Sequence, residues 1–254
     1  MERSENREDL IEGRNAVMEA LRAGRTIDKI YIAKGDVDQT LGHIASKARS
    51  AGIVVVEADR RKLDAMSQTH AHQGVIALCA VKEYCTVADI LAIAQARGEP
   101  PFVIVCDEIS DPHNLGAIIR SAECAGAHGV IIPKRRSVGL TAAVGKASAG
   151  AVEYVPVARV TNIAVFLEEI KARGVWVYAA DMDGTDWCQT DFSGPAALVV
   201  GSEGFGVSRL VKEKSDFIVS LPMKGRINSL NASVACGVLC YEIARQRAGI
   251  KAKG

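Results

Sequence analysis

From about residue 100 onward the chain alternates short, fully apolar runs with stretches of helical length, and few folds accept that rhythm. The runs FVIVC, GVII and ALVV are rich in β-branched residues and show no polar alternation, the pattern of strands covered on both faces. Strands are expected at about 102–106, 129–132, 153–157, 175–180, 196–200 and 217–221. With helices between them they form a parallel α/β sheet. Hydrophobic residues make up 48% of the chain and aromatics only 5%, so the core must be built from Val, Ile, Leu and Ala.

A shorter α/β pattern precedes this one. Residues 13–24 read as a helix, KIYIA at 29–33 as a strand, 36–51 as an amphipathic helix and 53–57 as a strand. Asp59 opens a helix to Met66, and GVIALCAV at 74–81 is a further strand. KEYCT at 82–86 breaks the pattern, and Glu99-Pro100-Pro101 stops the helix that follows. Two domains are expected, 8–81 and 86–254.

Charge and cysteine usage exclude several classes. The net charge of +1 is too small for a protein that coats nucleic acid nonspecifically, so any RNA must meet local patches such as Arg60-Arg61-Lys62 or Lys134-Arg135-Arg136. Each patch alone is equally well a solvated surface. The seven cysteines form no CxxC pair, and His70 and His72 have no carboxylate or thiol at metal-ligand spacing. Neither a disulfide framework nor a metal site is expected. No apolar run approaches the roughly 18 residues of a membrane span, and the start MERSENREDL is too charged for a signal peptide, so a cytoplasmic protein is expected.

Three loops carry the candidate chemistry. In DEISDPHNLGAIIRSAECAG a strand ends in an acidic loop, and the helix that begins near Asn114 carries Arg120; the plain alternative is a cap and an exposed arginine. In ALVVGSEGFGVS an apolar strand breaks into Gly201-Ser202-Glu203-Gly204-Phe205-Gly206. Glycines there permit close backbone approach to a ligand, although a tight turn without one has the same composition. The order GxxGxG is not the dinucleotide fingerprint, and no Gly-Lys-Ser/Thr follows. That argues against a dehydrogenase or kinase. In LPMKGRINSLNASVACGVLC a strand ends at Leu221-Pro222, and Ser229-Leu230-Asn231-Ala232-Ser233 opens a long helix crowded with small residues. Ser229 or Asn231 can cap that helix.

Taken together and in this order, NLGAIIRSAECAG, VVGSEGFGVS and LPMKGRINSLNASVA resemble the three motifs of the SpoU/TrmH class of RNA ribose 2′-O-methyltransferases, within the SPOUT superfamily. The first domain, with its HQGVIA strand, is similar to the small substrate-binding domain of members that methylate a guanosine of 23S ribosomal RNA. That domain in turn resembles kink-turn-binding ribosomal proteins.

The resemblance implies an α/β knot, a deep trefoil in a parallel sheet, forming the S-adenosylmethionine pocket at which two subunits pair. It implies cofactor contacts at Gly201, Ser202, Gly204, Ile218, Leu221, Met223, Leu230 and Ser233, with Ala179 to Asp181 as a further wall. Asn114, Arg120, Glu203, Ser229 and Asn231 would surround the reacting ribose. Family proposals make Arg120 the base, yet a guanidinium with a pKa above ~12 is better suited to gripping a phosphate. Glu203 or a water would then receive the proton. Arg14, Arg60 and Arg61 are candidate RNA contacts of the first domain. Transfer RNA as substrate and a non-catalytic RNA-binding, ribosome-assembly role are the alternatives.

Overall fold

In the computed structural model, which describes residues 9–35, 38–202 and 204–250, the chain divides into two units. The described residues up to Glu83, together with Gly139–Ala142, form the first; Tyr84–Val138 and the chain from Ala143 form the second.

The first unit runs β1 (Leu10–Glu12), α1 (Arg14–Arg22), β2 (Ile27–Ala33), α2 (Gln39–Ser50), β3 (Val54–Ala58), α3 (Arg60–Met66) and β4 (Val75–Cys79). Its sheet has the order β1-β4-β2-β3, with only the β2–β3 pair parallel. Val17, Ile30, Leu41, Ile44 and Val75 form one core cluster, and Leu63 meets Ala33 and Ile76 in a smaller one. Asp38 starts α2 by accepting from the Thr40 and Leu41 amides, each at 3.0 Å. Asp59 stands at the N-cap of α3 as expected, but its side chain makes no capping bond. The three-residue β1 escaped the periodicity because two repeats are too few to define a period.

The second unit runs α4 (Val87–Arg97), β5 (Phe102–Asp107), α5 (Pro112–Cys124), β6 (Gly129–Pro133), α6 (Ala142–Ala147), β7 (Val157–Val160), α7 (Ile163–Lys171), β8 (Trp176–Asp186), β9 (Ala196–Gly201), α8 (Arg209–Lys214), β10 (Phe217–Ser220) and α9 (Ala232–Arg247). Its six strands are all parallel, in the order β10-β8-β9-β5-β6-β7. From β5 the chain first builds outward through β6 and β7, then returns to lay β9 on the other side. The strand order therefore reverses between β5 and β9, and in open parallel sheets that reversal opens a crevice beyond the strands' carboxyl ends.

One expected strand is displaced. Residues 151–153 form a 3-10 turn, and the strand assigned to 153–157 begins only at Val157. Gly150, at φ 87°, turns the chain, and the Glu153 and Tyr154 amides donate back to Gly150 and Ala151, so the backbone groups a ladder needs are already used. β8 also runs beyond 180, to Asp186. Its register against β10 jumps: Ala179 pairs with Ile218 but Thr185 with the next residue, Val219. Residues 180–184 thus belly out of the ladder, a bulge that re-aims side chains. Gly184 makes the return possible, since a β-carbon there would lie 2.5 Å from the Ile218 backbone.

Candidate active site at the strand reversal

The β8 bulge, the end of β9 and the start of α9 enclose a cleft of about 500 Å³. Ala180, Asp181, Met182 and Asp183 form one wall, Gly201, Ser202 and Gly204 the second, and Leu221, Met223, Ser229 and Leu230 the third. Three distant stretches of sequence are thereby joined. Ile218 and Ser233 do not line the cleft, although their neighbours Val219 and Ala232 do.

Gly201 is required by packing. A β-carbon on it would come within 2.0 Å of Gly206, because the loop closes on itself through a Ser202–Gly206 bridge and a 2.8 Å bond from the Gly206 amide to the Ser202 carbonyl. Gly204, in contrast, has nothing within 4 Å of such an atom. Glu203 lies outside the described residues. Asp181 is largely buried and is paired with Lys212 at 3.0 Å, which supplies the charge partner a buried carboxylate needs.

A second pocket of about 320 Å³ shares Ser202, Gly204 and Phe205 with the first and is completed by Glu108, Ile109, Ser110, Asp111, Asn114 and Arg136. Asp111 caps α5 and Pro112 occupies its first turn, so the end of β5 leads directly to Asn114. The loop after β6 is laced onto this one. Ser137 Oγ and the Val138 amide donate to the Ile109 carbonyl at 2.8 and 3.0 Å, and Arg136 donates to Glu108 at 3.1 Å. Glu108 and Arg136 both sit at φ 59°, the sparsely populated left-handed region that recurs at ligand-binding sites.

Asn231 connects the two pockets. Its Oδ1 accepts from the Ser233 amide at 2.9 Å, the Ser233 hydroxyl at 2.6 Å and the Val234 amide at 3.3 Å, which caps α9. Those donors fix which end of the amide is oxygen, so Nδ2 must be the atom that donates to Asn114 Oδ1 at 2.9 Å. Asn114, 6% exposed, is thus held in one orientation at the wall of the second pocket.

Arg120 is not drawn into this group. It sits six residues beyond Asn114 on α5, about 9 Å along the axis, exposed and lining neither pocket. Sequence reasoning missed Asp107, buried at the end of β5, whose carboxylate accepts from the Ser208 amide at 2.7 Å and ties the β9 loop to β5. It also missed Phe205, which is 94% exposed between the pockets. No local signal marks either one, because their importance follows from β5 and β9 being neighbours.

The chemistry open to the site is restricted. Burial pushes the Cys106 thiol far up, and the bond with Cys236 followed by burial does the same for Cys240, so neither is a thiolate nucleophile. Among the described residues, no group of three or more His, Cys, Asp or Glu side chains is placed to hold a metal ion. No helix among them is long and apolar enough to cross a membrane.

Comparison with known proteins places this geometry in context. Residues 101–241 match a family model described as the SpoU rRNA methylase family, and residues 10–85 match one described as RNA 2′-O ribose methyltransferase substrate binding. Among curated proteins, the chain is 49% identical over 240 residues to YacO of Bacillus subtilis, a protein assigned to the TrmH family of tRNA/rRNA methyltransferases. That match covers 94% of this chain and 96% of the relative. Among solved structures, an AdoMet-bound rRNA methyltransferase of Sinorhizobium meliloti is 26% identical with a TM-score of 0.57, covering 96% of this chain and 88% of that one. The SpoU methyltransferase AviRb of Streptomyces viridochromogenes, solved with AdoMet, shares the fold at a TM-score of 0.59 and 24% identity, covering 94% of this chain and 90% of that one.

Proposed function

The chain belongs to the SpoU family of RNA methylases, and from that membership we propose that it methylates the ribose 2′-hydroxyl of a guanosine in 23S ribosomal RNA, using S-adenosylmethionine. The observation that carries this assignment is the Asn231–Asn114 bond. It couples the cap of α9, whose first residues wall the larger cleft, to the smaller pocket beside it, so that one cavity for a donor and one for an acceptor are held in fixed relation. Methyl transfer from sulfur to oxygen is an in-line displacement and depends on that relation.

The residues of the larger cleft fit the donor. Its volume lies within the range of small-molecule sites, Val200, Val219 and Leu239 offer apolar walls for a purine, and Asp181 stands ready for hydroxyl or ammonium groups. When bound, S-adenosylmethionine supplies an electrophilic methyl group on a sulfonium. Gly201, Ser202, Gly204, Leu221, Met223 and Leu230 would hold it, with Ile218 and Ser233 next in the chain to the lining residues Val219 and Ala232. Ser229 lines the larger cleft two residues before the α9 cap and assists at the target ribose. Asn114, held by Asn231, positions the ribose, and Arg120 grips the adjoining phosphate from the exposed side of α5. Glu203 or a water takes the proton of the 2′-hydroxyl.

On this reading, residues 8–81 bind the RNA substrate and residues 86–254 form the catalytic domain, whose carboxyl end is knotted and which pairs with a second copy in the cytoplasm. Pairing is supported by an apolar stripe on α9: Val234, Val238 and Tyr241, spaced at helical repeats, are 51%, 36% and 57% exposed. The test is to incubate the protein with methyl-labelled S-adenosylmethionine and total RNA from cells lacking it, then map the labelled ribose. Label at a 23S guanosine supports the proposal, label in transfer RNA alone moves the target, and absence of label from every RNA rejects the function.

A further inference from the structure

Two arginines of the first unit face one cavity far along the chain from the catalytic loops. Arg14 at the start of α1 and Arg60 at the start of α3 line a cleft of about 500 Å³ with Asn15, Thr40, Gln73 and Gly74. Arg14, Asn15, Thr40, Arg60 and Gln73 give it polar side chains beside Ala33, Leu41 and Gly74. A cavity lined by two guanidiniums, one of them also paired with Asp38 at its edge, together with neutral amide and hydroxyl groups, suits an anion that also carries hydrogen-bonding groups.

The cleft is built rigidly. Arg14 Nε donates to the Gln73 carbonyl at 3.0 Å, its amide donates to Gln73 Oε1 at 3.2 Å, and its guanidinium is paired with Asp38. The loop supplying Gln73 is itself immobilised. Glu12 accepts from Ser67 Oγ at 2.5 Å, the Gln68 amide at 2.7 Å and Thr69 Oγ1 at 2.6 Å. His72, only 3% exposed, accepts from the Gly74 amide through Nδ1 at 3.0 Å, so its Nε2–H donates to Asp64 at 2.9 Å. This bracing holds His70 and Gln73 at φ 55° and 52°, a conformation costly for side chains other than glycine.

We propose that this cleft takes one unpaired nucleotide of the RNA substrate, its phosphate between Arg14 and Arg60 and its base edge against Asn15 and Gln73. The proposal rests on the RNA-methylase reading above and adds the place where the first unit engages the strand. Proteins read RNA sequence mainly in unstacked nucleotides that can be splayed into pockets of this kind. The unit's match to a substrate-binding model is consistent with it.

The test is filter binding of radiolabelled 23S rRNA transcript and of bulk transfer RNA to the full chain, from low to moderate salt, with S-adenosylmethionine binding measured in parallel by calorimetry. Arg14→Gln and Arg60→Gln are each expected to weaken RNA binding about tenfold and to reduce the salt slope by about one, with S-adenosylmethionine affinity unchanged. Arg49→Gln, at the far end of α2, serves as the surface-charge control. If Arg14→Gln lowers the melting temperature, Arg60→Gln carries the test. Affinity and slope in Arg60→Gln equal to those of the control would overturn the proposal while leaving the methylase reading intact. A wild-type chain that binds neither RNA would overturn both.

Discussion

Asn231 Nδ2 donates to Asn114 Oδ1 at 2.9 Å across more than a hundred residues of chain, while Asn231 Oδ1 caps α9. A single amide therefore serves both stability and site geometry, and its two ends can be separated. Asn231→Asp keeps the capping oxygen but loses the donor; it should melt within a few degrees of wild type and lose methyl transfer. Asn231→Ala loses both ends and should cost about 1 kcal/mol in addition. Thermal melts beside single-turnover assays read the two effects, and an active Asp variant would contradict the role given to Asn114.

Gly201→Ala should weaken donor binding, because the added carbon meets the Gly206 backbone at 2.0 Å and the loop must shift. Calorimetry should show S-adenosylmethionine affinity reduced about tenfold or more. Gly204→Ala meets no atom within 4 Å, so its melting temperature should match wild type.

His128 ties stability to pH. Its side chain is fully buried, Nδ1 accepts from the Phe102 amide at 3.0 Å and Nε2 donates to Glu99 at 3.0 Å, which requires the neutral ring. Burial depresses its pKa below the ordinary 6.5, outweighing the pull of Glu99 in the other direction. The unfolded chain therefore takes up this proton first, and stability is lost as pH falls below 6.5 toward the folded value. Urea midpoints should decline between about pH 7 and about pH 5 in wild type. The decline should be shallower in His128→Gln, although that variant is less stable at neutral pH.

If Val234, Val238 and Tyr241 form the pairing face, a charge placed on it must be desolvated on association. Tyr241→Glu should sediment as a monomer where wild type sediments as a dimer. Wild type running as a monomer would remove the dimer from the proposal.

Arg120 separates the roles of base and clamp. Arg120→Ala should lower kcat/KM about a hundredfold while the basic limb of the pH–rate profile stays in place. Disappearance of that limb would make the guanidinium the proton acceptor.

Much of the site could be named before the fold was known. The capping oxygen of Asn231 and the apolar strand that breaks at Gly201 are written within a few residues of themselves, where capping chemistry and backbone preference act, whereas α5 starts at Pro112, ahead of the start expected near Asn114. Arg120 was named for the motif it belongs to, and it is exposed and lines neither pocket, which no motif reveals. Phe205 and Asp107 stayed hidden because nothing local distinguishes an exposed loop aromatic or a buried strand-end carboxylate.

The sequence by itself determined the class of fold and the loops that line the two pockets, since strand and helix periods, caps and glycine breaks are short-range properties. The tertiary structure alone decided that β9 lies beside β5 and that residues 180–184 leave the ladder. Strand order, register and the burial of a lone carboxylate depend on pairings between segments far apart in the chain, and a local pattern of apolar residues is the same for every neighbour the strand could have taken.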